Sequence, residues 1–410
     1  MATKSESQIL QLGDKIQSLA KSLADKIERE EGETTQYKRA EWDSLTIDLQ
    51  NSIEELLLRV VRPKTFLHNL QLSHYDLVAF QVAFEFHLFD SVPLSGHITL
   101  SELSKRAGMD EDRIGRVMRL LAIHGVFTEV EEEVFTHTAI SKLLAQDEPF
   151  HCALAAQHDE MFQAASSTAE AIKKSPHEQR ADLTPFSLRF GSSIYDFYQK
   201  HPARADRFGK AMEGATAFDE ESMNSLRECY DWSSLENGVL VDVGGGAGHV
   251  SIFLAKHFPN ISFLVQDLFP PPALGSDNQL APKVKFQQHN FFEPQPVTNA
   301  KAYFMKHSLH NHPDADCVRI LRSLVAALEK AGPATPLLIN EGVLPSPGES
   351  MRRDQELTLR RGDMCMMVTL SAKERTRKQF QQLLKEADPR LQIVKIHGSA
   401  VTKLIEVHLV

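Results

Sequence analysis

The chain has 410 residues, a formal net charge of −10 and a hydrophobic content of 42%, which predict a globular protein long enough for two domains. The acidic balance disfavours a nucleic-acid partner, and the lack of any run of about 18 apolar residues predicts no membrane span. The polar first 30 residues predict no signal peptide, and four scattered cysteines without metal-ligand spacing predict reduced thiols, no metal site and a cytoplasmic location.

The N-terminal region, residues 1–40, contains an amphipathic helical pattern from residue 5 to residue 30. Its apolar side chains recur at intervals of three and four residues, at Ile9, Leu12, Ile16, Leu19, Leu23 and Ile27. Such spacing predicts a helix with a narrow apolar seam. The seam suits packing against a partner subunit or against the body of the same subunit, and Gly32 is expected to mark a break.

Residues 41–150 have the pattern of a mostly helical domain of the winged-helix type. One apolar helix is expected over Tyr75–Phe89, and a helix, a turn and a second helix over Leu100–Phe127, followed by two short strands. A DNA-reading domain of this type has a basic second helix. Here the three arginines of that helix are balanced by neighbouring acids and by an acidic wing, so we expect a dimerisation scaffold.

Residues 151–235 are predicted to be a helical linker that also contributes to a substrate pocket. The stretch Phe186–Phe197 is rich in aromatic residues. Aromatic side chains at helical spacing occur both in pocket walls and in plain core. The sequence leaves both interpretations of this stretch open.

Residues 236–410 alternate between apolar β-type runs and helical patterns such as Asp314–Leu328. Strands are predicted at Val239–Val243, Ile261–Val265, Val284–Phe286, Ala302–Met305, Pro336–Ile339, Ile393–His397 and Lys403–Val410. Such alternation predicts an α/β fold in which a mostly parallel sheet is covered on both faces. We therefore expect a Rossmann-like domain here.

A glycine cluster, Gly244–Gly248, follows the first of these strands and predicts a tight turn that a ligand can approach closely. The cluster lacks the dinucleotide fingerprint, because His249 stands where the third glycine would be. Asp242, just before the turn, would repel a pyrophosphate but suits a ligand with a cationic or hydroxyl-bearing part. Asp267, at the end of the next strand, is placed to bind ribose hydroxyls. Together these features favour S-adenosylmethionine (SAM) over a purely structural turn.

Further polar residues follow later strands, at the edge of the sheet where ligands of parallel α/β folds bind. Three histidines lie between His307 and His312, Glu341 follows another strand, and Glu374 precedes a later helix. A histidine between two carboxylates is suited to be a general base, because the acids orient the imidazole and stabilise the imidazolium. The sequence therefore predicts a general base in this region.

With these motifs the chain resembles the class I SAM-dependent O-methyltransferases of the large, dimeric, caffeate type found in plants and fungi. The resemblance extends over residues 40–410. It is carried by Val-Asp-Val-Gly-Gly-Gly-Ala-Gly at 241–248, Leu-His-x-x-x-Asp at 309–314 and Lys-Glu-Arg-Thr at 373–376. Members of this family methylate phenols, flavonoids and polyketides, so the resemblance implies a small-molecule acceptor, a homodimer and no metal.

Three sets of site residues follow from the resemblance and from the chemistry of the glycine turn. The SAM-binding set is Asp242, Gly244, Gly245, Gly246, Asp267, Leu268, Asn290, Phe291 and Lys306. The catalytic set is His310 as general base, with Glu341 and Glu374 as the acids that hold it. The acceptor-binding set is His158, Met161, Phe162, His307, Asn311, Met364, Met367 and Val368.

The chain departs from the family pattern at three positions. The family usually has Leu-His-Asp-Trp where this chain has Asn311 and His312 after the histidine, and Asn290 replaces an adenine-site Asp. One interpretation is neutral drift with methyl transfer retained. The alternative is a fungal methyltransferase-like pericyclase or dehydratase that closes a ring on a polyketide while SAM stays intact. The retained base and acids favour methyl transfer, and the acidic balance disfavours a third possibility, a DNA-binding regulator that senses SAM.

Overall fold

The computed structural model describes residues 2–29, 36–180, 182–218, 220–271, 273, 275, 278–349, 351–399 and 401–410. The chain divides into two compact units. Unit 1 comprises the residues up to Val78 together with Arg352–Asp354, and unit 2 comprises Ala79–Met351 and Gln355–Val410. In the described ranges, no helix is both long enough and apolar enough to cross a bilayer.

Unit 1 is helical. Its elements are α1 (Ala2–Arg29), α2 (Gln36–Val60), α3 (Pro63–Leu72) and the first turn of α4 (His74–Glu85). The predicted amphipathic helix is confirmed as α1, and Leu12 of its apolar seam is buried where α1 packs on α2. The expected break at Gly32 lies outside the described residues. Apolar side chains of α2 and α3 remain exposed, including Leu57, Leu67 and Leu70.

Unit 2 begins with a winged-helix-like arrangement. Its elements are the rest of α4, then α5 (Leu88–Ser91), β1 (Ile98–Thr99), α6 (Leu100–Ala107), α7 (Glu111–Ile123), β2 (Phe127–Glu131), β3 (Val134–His137) and α8 (Ala139–Gln146). The predicted helix–turn–helix and two-stranded wing are confirmed. The prediction of one helix over Tyr75–Phe89 is wrong, because α4 ends at Glu85 and His87 has a left-handed backbone with φ 52°. This break directs the buried side chains of Leu88 and Phe89 into the same core cluster as α4.

A helical segment connects the wing to the sheet. Its elements are α9 (Glu148–Ala156), a π-helical turn (Gln157–Met161), α10 (Phe162–Ala165), α11 (Thr168–Lys174), α12 (Pro185–Phe190), α13 (Ile194–Lys200), α14 (Pro202–Phe218), α15 (Glu220–Cys229) and a 3₁₀ turn (Trp232–Leu235). The aromatic residues Phe186 and Phe197 are buried in one apolar cluster with Met161 and Val368. The aromatic stretch therefore contributes to the core.

The rest of unit 2 is built around one large sheet. Its strands are β4 (Val239–Val243), β5 (Ser262–Asp267), β6 (Val284–Gln288), β7 (Ala302–Lys306), β8 (Leu337–Leu344), β9 (Arg375–Thr376), β10 (Leu391–His397) and β11 (Thr402–Leu409). Within the described residues the order is β10-β11-β8-β7-β4-β5-β6, with β9 beside β8. The pairings of β4 through β9 are parallel, and those of β11 with β8 and β10 are antiparallel. The predicted mostly parallel sheet is confirmed.

Helices cover both faces of this sheet: α16 (His249–His257), α17 (Asp314–Ala331) and α19 (Arg377–Ala387). A further helix, α18 (Arg353–Leu370), follows β8 in the chain. Side chains of β4 alternate between two apolar clusters, with Val241 and Val243 in the cluster of α17 and α19 and Leu240 in the cluster of α16. The strand predicted at Pro336–Ile339 runs on to Leu344, and every residue of β8 is buried. Glu341 therefore lies inside a strand.

Candidate active site

The glycine turn connects β4 to α16 and adopts the tight path that its sequence predicts. Gly244, Gly246 and Gly248 have φ values of 75°, 55° and 76°, a region that residues with a β-carbon rarely adopt. The N–H groups of Gly244 and Gly245 donate to the carbonyl of Gln266 at 2.8 and 3.1 Å. These bonds hold the turn against the carboxyl end of β5.

The two aspartates predicted to bind SAM lie in different environments. Asp242 is 2% exposed and accepts a hydrogen bond from Ser251 Oγ at 2.6 Å. Burial raises the pKa of Asp242 to about 6. Asp267 is partly exposed and accepts from the N–H groups of Gly246 and Phe269 at 3.0 and 3.2 Å. Asp242 therefore supports the turn from the protein interior. The carboxylate of Asp267 is partly exposed and can accept further hydrogen bonds.

The glycine turn is open on one side and bounded by an aromatic ring on another. A β-carbon on Gly246 would have no neighbour within 4 Å, so the turn faces open space there. The Phe291 ring lies 3.2 Å from the β-carbon position of Gly244, where it closes one side of the turn. Asn290 accepts from the N–H of Phe292 at 3.1 Å, Leu268 is 48% exposed, and Lys306 Nζ lies 3.8 Å from the Met223 sulfur. Polar and apolar groups therefore lie together around the turn.

The histidine and the two glutamates predicted to be catalytic come together. His310 lies in a 3₁₀ turn, Leu309–Asn311, directly after β7, and its Nδ1–H donates to Glu374 Oε1 at 2.7 Å. Glu341 Oε1 accepts from the backbone N–H groups of Ser308 and Leu309 at 2.9 and 2.8 Å. One ligand-type atom from each of the three side chains lies within 4.8 Å of the other two. Glu374 thus holds the imidazole and Glu341 holds the turn that carries it.

The charges of this cluster favour a protonated imidazole. Burial by itself would lower the pKa of His310, but the charge of Glu341 and the hydrogen bond that His310 donates to Glu374 outweigh it and raise that pKa above its ordinary value. Burial raises the pKa of Glu341. Neither Glu341 Oε2 nor Glu374 Oε2 has a hydrogen-bond partner in the described part of the chain. Two carboxylates therefore surround one imidazole with part of their acceptor capacity unused.

A second histidine lies against the first. The rings of His307 and His310 stack with centroids 5.0 Å apart, and His307 has a left-handed backbone with φ 47°. Desolvation by the surrounding protein, together with the charges of His310 and Lys306, holds the pKa of His307 well below the usual range. Asn311 Nδ2 donates to the His307 carbonyl at 2.9 Å. His307 is therefore a neutral imidazole beside the candidate base.

The predicted acceptor-binding residues differ in their exposure. Met161 and Val368 are buried together in the core, Phe162 and Met367 are partly buried, and Met364 is 52% exposed.

His158 lies in the same π-helical turn as Met161. Its Nδ1–H donates to the Leu154 carbonyl at 2.8 Å, and its ring lies against Phe80 and Phe84. It lines a cavity of about 330 Å³. Within the described part of the chain, the lining of this cavity includes none of the other predicted acceptor-binding residues.

Arg375 belongs to the Lys-Glu-Arg-Thr motif, but the sequence pattern alone predicts no role for it. Its guanidinium is fully buried and donates to the carbonyls of Leu309 and His312, on either side of His310, at 2.9 and 2.8 Å. Asp314 accepts from the same guanidinium at 2.8 Å. The only sequence feature that indicated a role was its position directly after Glu374, because adjacent residues of one backbone segment are positioned together.

A glycine turn over a parallel sheet, an acid after the next strand and a histidine held by carboxylates define a class I SAM-dependent methyltransferase. Residues 168–388 match the family model of the O-methyltransferase domain, and residues 69–147 match that of the O-methyltransferase dimerisation domain. The chain therefore belongs to the family of SAM-dependent O-methyltransferases, and SAM is its cofactor.

Individual proteins agree with this assignment. The O-methyltransferase sol2 of Alternaria solani is 40% identical over 90% of this chain and 86% of its own length. Among solved structures, OxaC matches with a TM-score of 0.77 and 22% identity over 99% of this chain and all of its own. A protein described as a pericyclic reaction enzyme matches with a TM-score of 0.75 and 22% identity over the same shares. At such identity the two structures establish the fold alone.

Proposed function

We propose that this protein transfers the methyl group of SAM to an aromatic or enolic hydroxyl of a secondary metabolite, with His310 as general base. The observation that carries the proposal is the 2.7 Å contact between His310 Nδ1 and Glu374 Oε1. A carboxylate can only accept, so this contact assigns the Nδ1 proton and leaves Nε2 with the lone pair that a base requires.

The residues of the cluster have distinct parts in this reaction. His310 Nε2 takes the proton of the acceptor hydroxyl, and the carboxylates of Glu374 and Glu341 stabilise the imidazolium that forms. Bound SAM supplies an electrophilic methyl group. The remaining contribution of the protein is to hold the hydroxyl oxygen in line with that methyl, since positioning alone supplies a large part of such rate enhancements.

The strength of the base restricts the acceptor. A phenol has a pKa near 10, and an imidazole whose pKa is raised above its ordinary value of about 6.5 removes its proton at a cost of roughly three pKa units or less. A hydroxyl as weakly acidic as water, with a pKa near 15.7, would cost roughly nine. The acceptor class is therefore a phenol or a similarly acidic enol.

The SAM site would be formed by the glycine turn and the residues after β5 and β6. Open space over Gly246 supports close approach of SAM to the backbone of Gly244–Gly246, and the free acceptor capacity of Asp267 supports a bond to the ribose hydroxyls. The proposed adenine contacts are Leu268, which follows β5, and Asn290 and Phe291, which follow β6.

A homodimer is the proposed assembly. The support is the match of residues 69–147 to a dimerisation domain and the exposed apolar side chains of α2 and α3, which a monomer would leave in water. Sedimentation velocity at micromolar concentration is expected to give twice the chain mass of 46.1 kDa. A single species at the monomer mass would contradict the proposal.

Ring closure without methyl transfer is the second candidate. His307 favours it, because a neutral imidazole stacked on His310 is suited to donate a hydrogen bond to a substrate carbonyl and so stabilise a polarised transition state. In that reaction His310 would not be needed as a base. The two candidates therefore make opposite predictions for the fate of SAM.

Mass spectrometry separates the candidates. Purified protein is incubated with SAM and a panel of phenolic, polyketide and pyridone-type compounds, and both cofactor and substrate are followed. A substrate that gains one methyl mass while S-adenosylhomocysteine accumulates supports methyl transfer. A substrate converted without mass change, or with loss of water, while SAM stays intact supports ring closure.

Two variants test the roles of the histidines. His310→Gln is expected to abolish methyl transfer, and His408→Gln, at the antiparallel edge of the sheet, serves as the matched control with unchanged activity. Methyl transfer that survives in His310→Gln contradicts the base assignment. If His307→Gln abolishes substrate conversion and His310→Gln does not, the result supports ring closure without methyl transfer.

A further inference from the structure

The guanidinium of Arg375 is the centre of a fully satisfied buried network. Its side chain is 0% exposed. Nη1 donates to the carbonyls of Leu309 and Lys373 at 2.9 and 3.3 Å, and Nη2 to the carbonyl of His312 and to Asp314 Oδ1, each at 2.8 Å. Nε donates to Asp314 Oδ1 at 3.0 Å. All five N–H donors of the arginine are therefore used. Four of the five bonds end on the carbonyls of Leu309 and His312 and on Asp314, which accepts two of them.

The His310 turn is held by opposite charges at its two ends. Its leading N–H groups, from Ser308 and Leu309, donate to the Glu341 carboxylate at 2.9 and 2.8 Å. Its carbonyls at Leu309 and His312 accept from Arg375. The Glu341 carboxylate thus accepts from the N–H groups of the turn, and the Arg375 guanidinium donates to its carbonyls. This arrangement of charges is the one that stabilises a helical turn. This pairing restricts the backbone on both sides of His310.

Arg375 and Glu374 are neighbours in the chain, so one backbone segment carries both groups that contact the turn. Glu374 bonds the imidazole and Arg375 bonds the backbone beneath it. The segment is anchored to β8, because Arg375 pairs with Val343, two residues beyond Glu341. A shift of this segment would therefore move the imidazole and its carboxylate relative to each other.

We propose that Arg375 is a positioning residue for the general base: through the carbonyls of Leu309 and His312 it holds the His310 turn so that Nδ1 meets Glu374. This inference rests on the proposed role of His310. Lysine cannot replace the arginine, because an ammonium has three donors and lacks the planar fork that reaches two carbonyls and a carboxylate together. Arg375→Lys therefore keeps the charge and removes the geometry.

Arg322 offers a matched control. Its guanidinium also donates to two carbonyls at a helix end, those of Glu386 and Ala387, at 2.8 and 3.3 Å, and it has no contact with the His310 turn in the described structure. Arg322 is exposed, so Arg322→Lys reports the effect on activity of losing two such hydrogen bonds away from the His310 turn. Both variants are compared at a temperature where each is folded, as judged by thermal unfolding.

The expected results for Arg375→Lys are a kcat lowered on the order of 10- to 100-fold, the scale of rate loss for a misplaced catalytic group, and an unchanged Kd for SAM. The acid limb of the pH–kcat profile is expected to move to lower pH, because a looser contact with Glu374 stabilises the imidazolium less. Arg322→Lys is expected to keep both kcat and the pH profile. Equal kcat and equal profiles in the two variants would overturn the proposal.

A second pair keeps the proposal testable if Arg375→Lys does not fold. Asp314 is half-exposed and binds both Arg375 and Lys373 Nζ, the latter at 2.6 Å. Asp314→Ala removes the carboxylate that accepts two of the five guanidinium bonds, and Lys373→Ala removes only the second cation. A lowered kcat with a shifted acid limb is expected in Asp314→Ala and not in Lys373→Ala. Identical behaviour of this pair would also overturn the proposal.

The outcome for His310→Gln separates this inference from the proposed function. If His310→Gln retains methyl transfer, the base assignment itself fails. If His310→Gln is inactive while Arg375→Lys and Asp314→Ala match their controls, the base assignment stands and only the positioning role of Arg375 is rejected.

Discussion

Gly342 provides the space that Glu374 Oε2 occupies. A β-carbon on Gly342 would lie 2.8 Å from that oxygen and 2.8 Å from Leu359 Cδ2. Both neighbours are fixed, because Leu359 is 3% exposed and Glu374 is bonded to His310. The glycine after Glu341 is therefore part of what allows two carboxylates to approach one imidazole.

Gly342→Ala is expected to displace Glu374 and to lower kcat by about 10- to 100-fold, with a loss of about 1–3 kcal/mol in the free energy of unfolding from overpacking. Gly362→Ala is the matched control. Its β-carbon would have its nearest neighbour, Glu374 Oε1, at 3.9 Å, inside α18, so it should gain about 0.5–1 kcal/mol. Kinetics and urea unfolding of both variants test this, and full activity in Gly342→Ala would contradict it.

The acid limb of the kcat/KM profile is expected to have its midpoint above 6.5, the ordinary histidine value, because His310 has a raised pKa and acts as a base only when neutral. Activity is therefore lost as the pH falls through that pKa. Glu374→Gln removes one of the charges that raise it, so the limb should move to lower pH.

The same substitution should lower kcat by about 10²- to 10⁴-fold, since a glutamine amide can donate to Nδ1 and then favours the wrong tautomer. Glu406→Gln is the control, because Glu406 accepts from His397 and His408 at 2.8 and 3.0 Å at the far edge of the sheet. A profile in Glu374→Gln that overlays the wild-type profile would refute the assignment.

The fold could be predicted where burial fixes the pattern of the sequence. A parallel strand covered on both faces has to be apolar throughout, so β4 and β7 stand out as Val-Leu-Val and Ala-Tyr-Phe-Met runs. The same rule failed at β8, whose polar Asn340 and Glu341 suggest that the strand has ended. Glu341 is tolerated there because two backbone N–H groups satisfy one oxygen.

The site could be predicted only in part, because its contacts join distant segments. A histidine after one strand and acids after others indicate a base, but Arg375 reaches Leu309 across 66 residues, and nothing in the local pattern announces that contact. The acceptor set had still less support from sequence. Met161 and Val368 have the composition of a pocket wall, yet they pack in the core with Phe186.

Gly246→Ala is expected to weaken SAM binding by more than about 10-fold. A β-carbon there would project into the open space over the turn, and φ 55° is strained for alanine by about 1–2 kcal/mol. Gly108→Ala is matched in both respects, with φ 64° and no neighbour within 4 Å, but it caps α6 instead. Calorimetry should show weaker SAM binding in Gly246→Ala alone, while both variants lose similar stability. Equal SAM affinity in the two would exclude the turn as a binding surface.

Asp242 should make the stability of the SAM-free protein depend on pH. Its pKa of about 6 in the fold lies above the ordinary value of about 3.9. The folded state therefore binds the extra proton, and this contribution to stability is complete below about pH 4, declines as the pH rises to about 6 and is absent above. Two pKa units correspond to about 2–3 kcal/mol for this buried group.

Asp242→Asn cannot ionise, and its amide oxygen can still accept from Ser251. Relative to the wild type, its free energy of unfolding should therefore rise by about 2 kcal/mol between pH 4.5 and pH 7.5, whatever constant offset the amide adds. Urea unfolding at both values measures the difference. Ser251→Ala is the companion variant: it removes the hydrogen bond that lowers the Asp242 pKa and should steepen the loss with pH. A difference between Asp242→Asn and wild type that is independent of pH would mean that Asp242 stays ionised in the fold.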